Sequence, residues 1–219
     1  MKATTAPAKI GSRTVAHLVA EFLVRRGVHR VYGLCGGHIQ PIWDEVARAG
    51  IQIVDVRHES AAVYMAQAQA DLTGSLGVAI VTAGPGLTNA TTGIANASVS
   101  RSPVLVISGR PPRPQAGMGA LQDIPQGDLV RPICRRVEVV FERHHVLPRL
   151  EATVRAAEGV GTPAGPATST FPRTCSERSS RMRTWTTASS SRVCQKSLCL
   201  RRMSFRRQRP LSRRANGSS

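Results

Sequence analysis

Between residues 11 and 157 the sequence alternates short, almost purely apolar runs with longer segments of helical periodicity. The runs at residues 78–81 and 104–107 are apolar at every position, which is typical of strands covered on both faces. Residues 14–26 instead carry their apolar side chains at helical spacing and end at Gly27. Strands that alternate with helices predict a parallel α/β sheet with right-handed crossovers and helices on both faces.

The same reasoning places the other elements. Strands are expected at residues 31–34, 51–56, 77–82, 104–108 and 133–140. Helices are expected at residues 14–26, from Pro41 onward, and at 60–72, 87–98 and 146–157. Residues 109–127 are rich in Pro and Gly and predict a long loop.

The pattern ends after Pro166. Residues 167–219 show no sustained period and are dominated by Arg, Ser and Thr, which predicts a disordered basic tail. We therefore expect one domain at residues 11–166, with a disordered N-terminus at residues 1–10.

A second interpretation of residues 167–219 concerns the reading frame. A sheet domain that reaches Ala167 is expected to continue as a strand such as Tyr-Ile-Asp-Phe-Pro. In GC-rich DNA, the codons for such a strand give residues like those observed after Ala167 if they are read after the loss of one base.

The net charge of +17 suggests nucleic acid or an anionic membrane as a partner, but the charge is unevenly placed. Residues 168–219 supply +12 of it, with Glu177 as their only acid, so the rest of the chain carries +5. The tail also has few aromatic residues to stack on bases, namely Phe171, Trp185 and Phe205. A basic nucleic-acid-binding protein is therefore the weakest of the alternatives.

Cysteine usage and hydropathy indicate in which compartment the protein works and which kinds of site it lacks. The five cysteines have no regular spacing and predict neither a disulfide framework nor a zinc site. No apolar run approaches the roughly 20 residues that span a bilayer. Residues 1–9 lack the apolar core of a secretory signal. We expect a reduced, cytoplasmic protein with no metal site and no membrane partner.

Polar and glycine-rich residues follow three of the predicted strands, where an open parallel sheet collects its ligands. These segments are Leu34-Cys35-Gly36-Gly37-His38, Arg57-His58-Glu59 and Thr82-Ala83-Gly84-Pro85-Gly86-Leu87-Thr88-Asn89. Each has a simpler explanation by itself. Glu59 suits the positive end of a helix dipole, Gly84-Pro85-Gly86 suits a tight turn, and the first segment lacks the spacing of a dinucleotide loop.

In combination the motifs are more specific. The segments Arg57 to Ala62 and Gly77 to Asn89 are followed, in order, by Ser102-Pro103-Val104-Leu105-Val106-Ile107-Ser108-Gly109 and Gly119-Ala120-Leu121-Gln122. Over residues 11–166 the chain resembles the aminopyrimidine-binding (PYR) domain of thiamine-diphosphate-dependent enzymes of the acetolactate synthase type. Gly36-Gly37-His38-Ile39 and Arg131-Pro132-Ile133-Cys134 are most similar to the acetolactate synthase-like, or 2-hydroxyacyl-CoA lyase, branch.

This resemblance implies a role for each motif. Glu59 would hydrogen-bond N1′ of the cofactor's pyrimidine and promote its activation, and Gln122 would face the reacting centre. The remaining cofactor-binding positions implied are Leu34, Cys35, Gly36, Gly37, Thr82, Pro85, Gly86 and Asn89. Many relatives have Pro where Cys35 stands.

The resemblance also implies what lies elsewhere in such enzymes. A separate PP domain holds the diphosphate and Mg²⁺ through Gly-Asp-Gly, which this sequence does not contain, and a middle domain holds FAD in some relatives. We therefore expect a truncated form of a carboligase or lyase acting on 2-keto acids or 2-hydroxyacyl-CoA. The alternative is a PYR-only subunit that works with a PP-domain subunit; the parent family also forms homodimers.

Overall fold

Parallel strands form a single sheet in the computed structural model, which describes residues 13–173. They are β1 (Arg30–Gly33), β2 (Gln52–Asp55), β3 (Gly77–Val81), β4 (Val104–Arg110), β5 (Arg136–Val139) and β6 (Ala167–Pro172). Across the sheet their order is β2-β1-β3-β4-β6-β5, and every neighbouring pair is parallel. The predicted parallel α/β sheet is confirmed.

Helices connect these strands. They are α1 (Val15–Arg25), α2 (Gln40–Arg48), α3 (Glu59–Thr73), α4 (Pro85–Ser100), α5 (Gln126–Val130) and α6 (Val146–Ala157). Local chemistry sets their ends. The Thr14 side chain accepts the N–H of His17 at the start of α1, and Gly74, at φ 67°, ends α3 in the left-handed conformation that favours glycine. No helix among the described residues is long and apolar enough to cross a membrane.

Side chains of the central strands alternate between two cores. Val78, Ile80, Leu105 and Ile107 pack with α1, α2 and α6 on one face. Ala79, Val81, Val104 and Val106 pack with α3 and α4 on the other. All eight side chains are fully buried, and burial of this kind contributes roughly 1.5–3 kcal/mol for each large aliphatic side chain. Helices therefore cover both faces, as the sequence predicted.

The end of the domain was predicted too early. Residues 167–172, assigned to the tail, form β6, an interior strand between β4 and β5. The register runs from Ala167 opposite Leu105 to Pro172 opposite Arg110, and Phe171 is fully buried. The segment was missed because Thr168, Ser169 and Thr170 break the apolar run that identified the other strands. The predictions for residues 1–12 and 174–219 lie outside the described residues.

Candidate functional site

The carboxyl ends of β1, β3 and β4 lie side by side at one edge of the sheet, because β3 pairs with both of its neighbours. The chain leaving β1 stays attached to β3, since Leu34 N donates to Ile80 O at 3.2 Å. The predicted site segments after β1 and β3 therefore begin next to each other. Glu59 reaches the same region from the first turn of α3.

Glu59 is almost completely buried, with 5% of its surface exposed. The amide Nδ2 of Asn89 donates to its Oε2 at 3.0 Å. The hydroxyl of Ser60 in turn donates to the backbone carbonyl of Asn89. These two contacts join the first turns of α3 and α4, and they leave Glu59 Oε1 without a hydrogen bond to any described residue.

Thr82 lies directly after β3, and two glycines approach its side chain closely. A Cβ placed on Gly36 would lie 2.6 Å from Thr82 Oγ1, and one placed on Gly86 would lie 2.8 Å from Thr82 Cγ2. The same Cβ on Gly86 would lie 3.6 Å from Glu59 Oε1. Thr82 Oγ1 is buried and has no hydrogen-bond partner among residues 13–173. The structure thus brings a free carboxylate oxygen and an unsatisfied hydroxyl beside two residues that have no side chain.

Gln122 lies in the loop between β4 and α5 and contacts a different part of this edge. A hydrogen bond of 2.9 Å joins His38 Nδ1 to Gln122 Oε1. The backbone carbonyl of Gln122 is close to Gly84, where a Cβ would lie 2.7 Å from that oxygen. Gln122 also adopts φ 64°, a left-handed conformation that is uncommon outside glycine and is frequently found at functional sites.

Other predicted positions take a smaller part in this cluster. Leu34 is half-buried against the core that contains α3 and α4, while Cys35 and Pro85 are exposed. No atom approaches within 4 Å of a Cβ placed on Gly37. Although Cys35 is exposed as a residue, partial desolvation of its thiol raises the pKa above its ordinary value, and the Asp44 carboxylate raises it further. The Cys35 thiol is therefore not activated as a nucleophile.

Gln126 was not predicted to belong to the site. It is 4% exposed and donates or accepts three hydrogen bonds at this edge, to Gly84, Ser108 and Gly109. The sequence offered little signal for it, because a single Gln at the end of a polar loop forms no motif. A metal-binding cluster of three or more His, Cys, Asp or Glu residues is not found within the part of the chain that the structure describes.

Comparison with known proteins decides the family. The family model described as "Thiamine pyrophosphate enzyme, N-terminal TPP binding domain" matches residues 13–129, more than half of the chain. The chain belongs to the thiamine-diphosphate enzyme family. Its residues 13–129 are the N-terminal cofactor-binding domain of that family, which confirms the resemblance inferred from the motifs.

Curated relatives of this thiamine-diphosphate enzyme domain include both lyases and synthases. The chain is 46% identical over 155 residues to 2-hydroxyacyl-CoA lyase 2 of Caenorhabditis elegans and 41% identical over 158 residues to that of Homo sapiens. It is 35% identical over 172 residues to the acetolactate synthase large subunit IlvG of Mycobacterium tuberculosis. These matches cover 71%, 71% and 78% of this chain. They cover 24%, 25% and 31% of the relatives, so the chain spans about a quarter of the lyases' length.

The residues at the edge fit the pyrimidine of thiamine diphosphate. An aminopyrimidine offers ring nitrogens and an exocyclic amine, which need a carboxyl group and other polar partners when they are buried. Glu59 Oε1 and Thr82 Oγ1 are available for such contacts within the described residues. Gly36 and Gly86 lack side chains, so the backbone at both positions packs directly against the Thr82 side chain.

Proposed function

We propose that this chain binds the aminopyrimidine half of thiamine diphosphate, with the Glu59 carboxyl group against N1′, in an acetolactate synthase-like carboligase or lyase. The observation that carries this proposal is the combination of a buried Glu59, with Oε1 uncommitted, and the buried Thr82 hydroxyl that has no partner in the described structure. A helix dipole alone accounts for an acid at this position, but not for the unsatisfied hydroxyl and the two glycines beside it.

When it is bound, the cofactor supplies a nucleophilic carbon and an electron sink for making or breaking a carbon–carbon bond next to a carbonyl. Glu59 holds or donates a proton at N1′, and Asn89 fixes the orientation of its carboxyl group. Gly36 and Gly86 pack closely against Thr82 and so hold its hydroxyl in place near Glu59. Gln122, held by His38, lies on the substrate side.

The substrate class is proposed from the relatives, whose names indicate 2-hydroxyacyl-CoA or 2-keto acid chemistry. We propose that the diphosphate, Mg²⁺ and any FAD are held outside this chain, by a PP-domain subunit or within a homodimer of a longer form. The exposed side chains of Met118 and Leu121, 77% and 79% accessible, support a partner on the loop that carries Gln122. Cys35 and Cys134 form no disulfide within residues 13–173, which supports a reduced, cytoplasmic setting.

The test is a titration of the isotopically labelled chain with thiamine diphosphate, followed by NMR. Saturable shifts confined to the residues around Glu59 and Thr82 are expected. Glu59→Gln removes the carboxyl group and should weaken binding about tenfold or more, because hydrogen bonds to charged groups contribute roughly 1.5–3 kcal/mol. Glu138→Gln is the matched control, since Glu138 is a similarly buried acid, 8% exposed, on β5, two strands away from β4. Equal affinity of Glu59→Gln and the unmodified chain contradicts the proposal.

We further propose that the reading frame changes at codon 168, so that residues 168–219 are an out-of-frame translation. The support is the composition of β6. This strand is covered on both faces, yet it carries Thr168, Ser169 and Thr170, and Thr168 Oγ1 has no hydrogen-bond partner in the described structure. Strands in that position are normally near-continuous apolar runs.

The genetic code supports the same proposal independently. If one base is restored before codon 168, the first base of each codon becomes the second base of a new codon. Phe codons and most Ser codons begin with thymine, and codons with thymine in second position encode only Phe, Leu, Ile, Met and Val. Position 171 would become apolar, and so would position 169 where Ser169 has a TCN codon, on the face where Ala167 already packs and where Ser169 contacts Thr153 of α6. Resequencing tests this: an intact frame at codon 168 overturns it.

A further inference from the structure

Gln126 is the first residue of α5, and its side-chain amide is buried with every polar atom hydrogen-bonded. Its Oε1 accepts the backbone N–H of Gly84 at 2.7 Å. Its Nε2 donates to Ser108 Oγ at 3.1 Å and to Gly109 O at 2.9 Å. A buried amide in such a network is costly to remove, because its partners stay buried and are left without a hydrogen bond to protein or to water.

These hydrogen bonds hold the turn between β3 and α4 from both sides. On one side, Gln126 accepts the N–H of Gly84 directly. On the other side, Gln126 donates to Ser108 Oγ, and this hydroxyl donates to the Thr82 carbonyl at 3.1 Å. Ala83 is thereby fixed between the two. Gly84 adopts φ 56° and ψ −110°, a conformation that side chains disfavour, so the turn depends on its tertiary contacts.

The same side chain also fixes one end of the loop that carries Gln122. Gln126 ends this loop, and the Gln122 carbonyl lies against Gly84, the residue that Gln126 binds. Movement at Gln126 therefore affects the turn and the loop together. The Gln126 amide is therefore one of the contacts that connect the turn after β3 to the loop that carries Gln122.

We propose that Gln126 is a positioning residue for the pyrimidine site: it holds the turn from Thr82 to Gly86 beside Glu59 and holds the Gln122 loop next to that turn. Gln126 touches the turn rather than the ligand. This inference rests on the proposed function, because it assigns Gln126 a role in the same site.

Two variants of Gln126 test it, with Gln67→Met as the matched control. Gln126→Met keeps the length of the side chain but removes all three hydrogen bonds. Gln126→Glu keeps an acceptor for Gly84 N and loses the donors to Ser108 and Gly109. Gln67 is also a buried glutamine, 8% exposed, and accepts a hydrogen bond of 2.7 Å from Asn96 away from the site.

Two readouts separate positioning from general stability: hydrogen exchange of the Gly84 amide, and NMR titration with thiamine. Gln126→Met should speed exchange at Gly84 by about tenfold or more and weaken thiamine binding by about fivefold or more, which are modest changes for the loss of a buried hydrogen bond. Gln126→Glu should restore much of the protection at Gly84. Gln67→Met should lower stability without changing thiamine affinity.

Each outcome bears on a different claim. If the unmodified chain does not bind thiamine, the proposed function fails, and this inference fails with it. If the unmodified chain binds and Gln126→Met binds equally well, only the positioning role of Gln126 is overturned. Equal loss of affinity in Gln126→Met and Gln67→Met also overturns it, because the effect would then follow stability alone.

Discussion

The Asn89 amide donates a hydrogen bond of 3.0 Å to the buried carboxylate of Glu59, across the first turns of two neighbouring helices. Sequence reasoning assigned both residues to the cofactor. In the structure the Asn89 amide is used to orient Glu59, while the other carboxylate oxygen points toward the space beside Gly86. This hydrogen bond gives a polar residue one turn into α4 a role in the candidate site.

Asn89→Ala should destabilise the chain by about 1–2 kcal/mol, because it leaves a buried carboxylate oxygen without its donor. Asn96→Ala is the matched control, since Asn96 lies on the same helix and donates to the neutral amide of Gln67 at 2.7 Å. The control should cost less, about 0.5–1.5 kcal/mol, and should not change thiamine affinity. Urea unfolding and NMR titration measure both quantities. A larger effect of Asn96→Ala on binding would contradict the assignment.

The adjacent glycines of the first site segment should respond differently to the same change. Gly36→Ala places a methyl group 2.6 Å from the Thr82 side chain and should cost about 1–3 kcal/mol through overpacking. Gly37→Ala meets no atom within 4 Å and should leave stability within about 0.5 kcal/mol. Thermal unfolding of both variants checks this. Similar losses in the two variants would show that Gly36 does not closely approach Thr82.

The strained backbone of Gln122 can be compared with that of Arg101, the other non-glycine residue at positive φ in the described chain. Arg101→Gly should stabilise the chain by roughly 1 kcal/mol, because a left-handed residue loses its strain. Gln122→Gly gains the same relief but loses the hydrogen bond to His38, so its net change should be near zero. Denaturant unfolding measures the difference. An equal gain in both variants would mean that the contact with His38 contributes nothing.

Cys134 should make stability depend on alkaline pH. Burial raises the pKa of its thiol from 9.0 to about 12, so the unfolded chain loses this proton first as the pH rises. Its contribution is therefore complete below pH 9.0 and is lost progressively as the pH rises toward about 12. Cys134→Ala removes that dependence. The unfolding free energies of the unmodified chain and of Cys134→Ala are measured from pH 8 upward. The value for the unmodified chain should fall relative to that of the variant as the pH rises through this window. A difference that stays constant with pH contradicts the prediction.

Sequence patterning predicts most of the fold because β3 and β4 bury both faces. Their apolar runs are unbroken, whereas α4 begins at Pro85, two residues before the predicted start at Leu87. The strand β6 gives no such signal, since its burial depends on the strands and helices around it rather than on its own composition. The predicted boundary at Pro166 follows from that lack of signal.

The residues of the candidate site also include some that the sequence predicts and some that it does not. Glu59, Thr82 and Gly86 are recognisable because they stand in an ordered series of motifs at the ends of predicted strands. Gln126 was not predictable, because a buried amide is defined by its three partners and not by a spacing. The contact between His38 and Gln122 joins residues 84 positions apart, and only the fold reveals it.

The most direct test of the central claim is a crystal structure of the chain with thiamine or thiamine diphosphate bound. We expect the pyrimidine to contact Glu59, with N1′ about 2.7–3.1 Å from Glu59 Oε1 and with Thr82 Oγ1 hydrogen-bonded to the ligand or to an ordered water beside it. The Asn89 contact to Oε2 should be retained. A pyrimidine bound elsewhere, or one whose N1′ makes no contact with Glu59, would contradict the account.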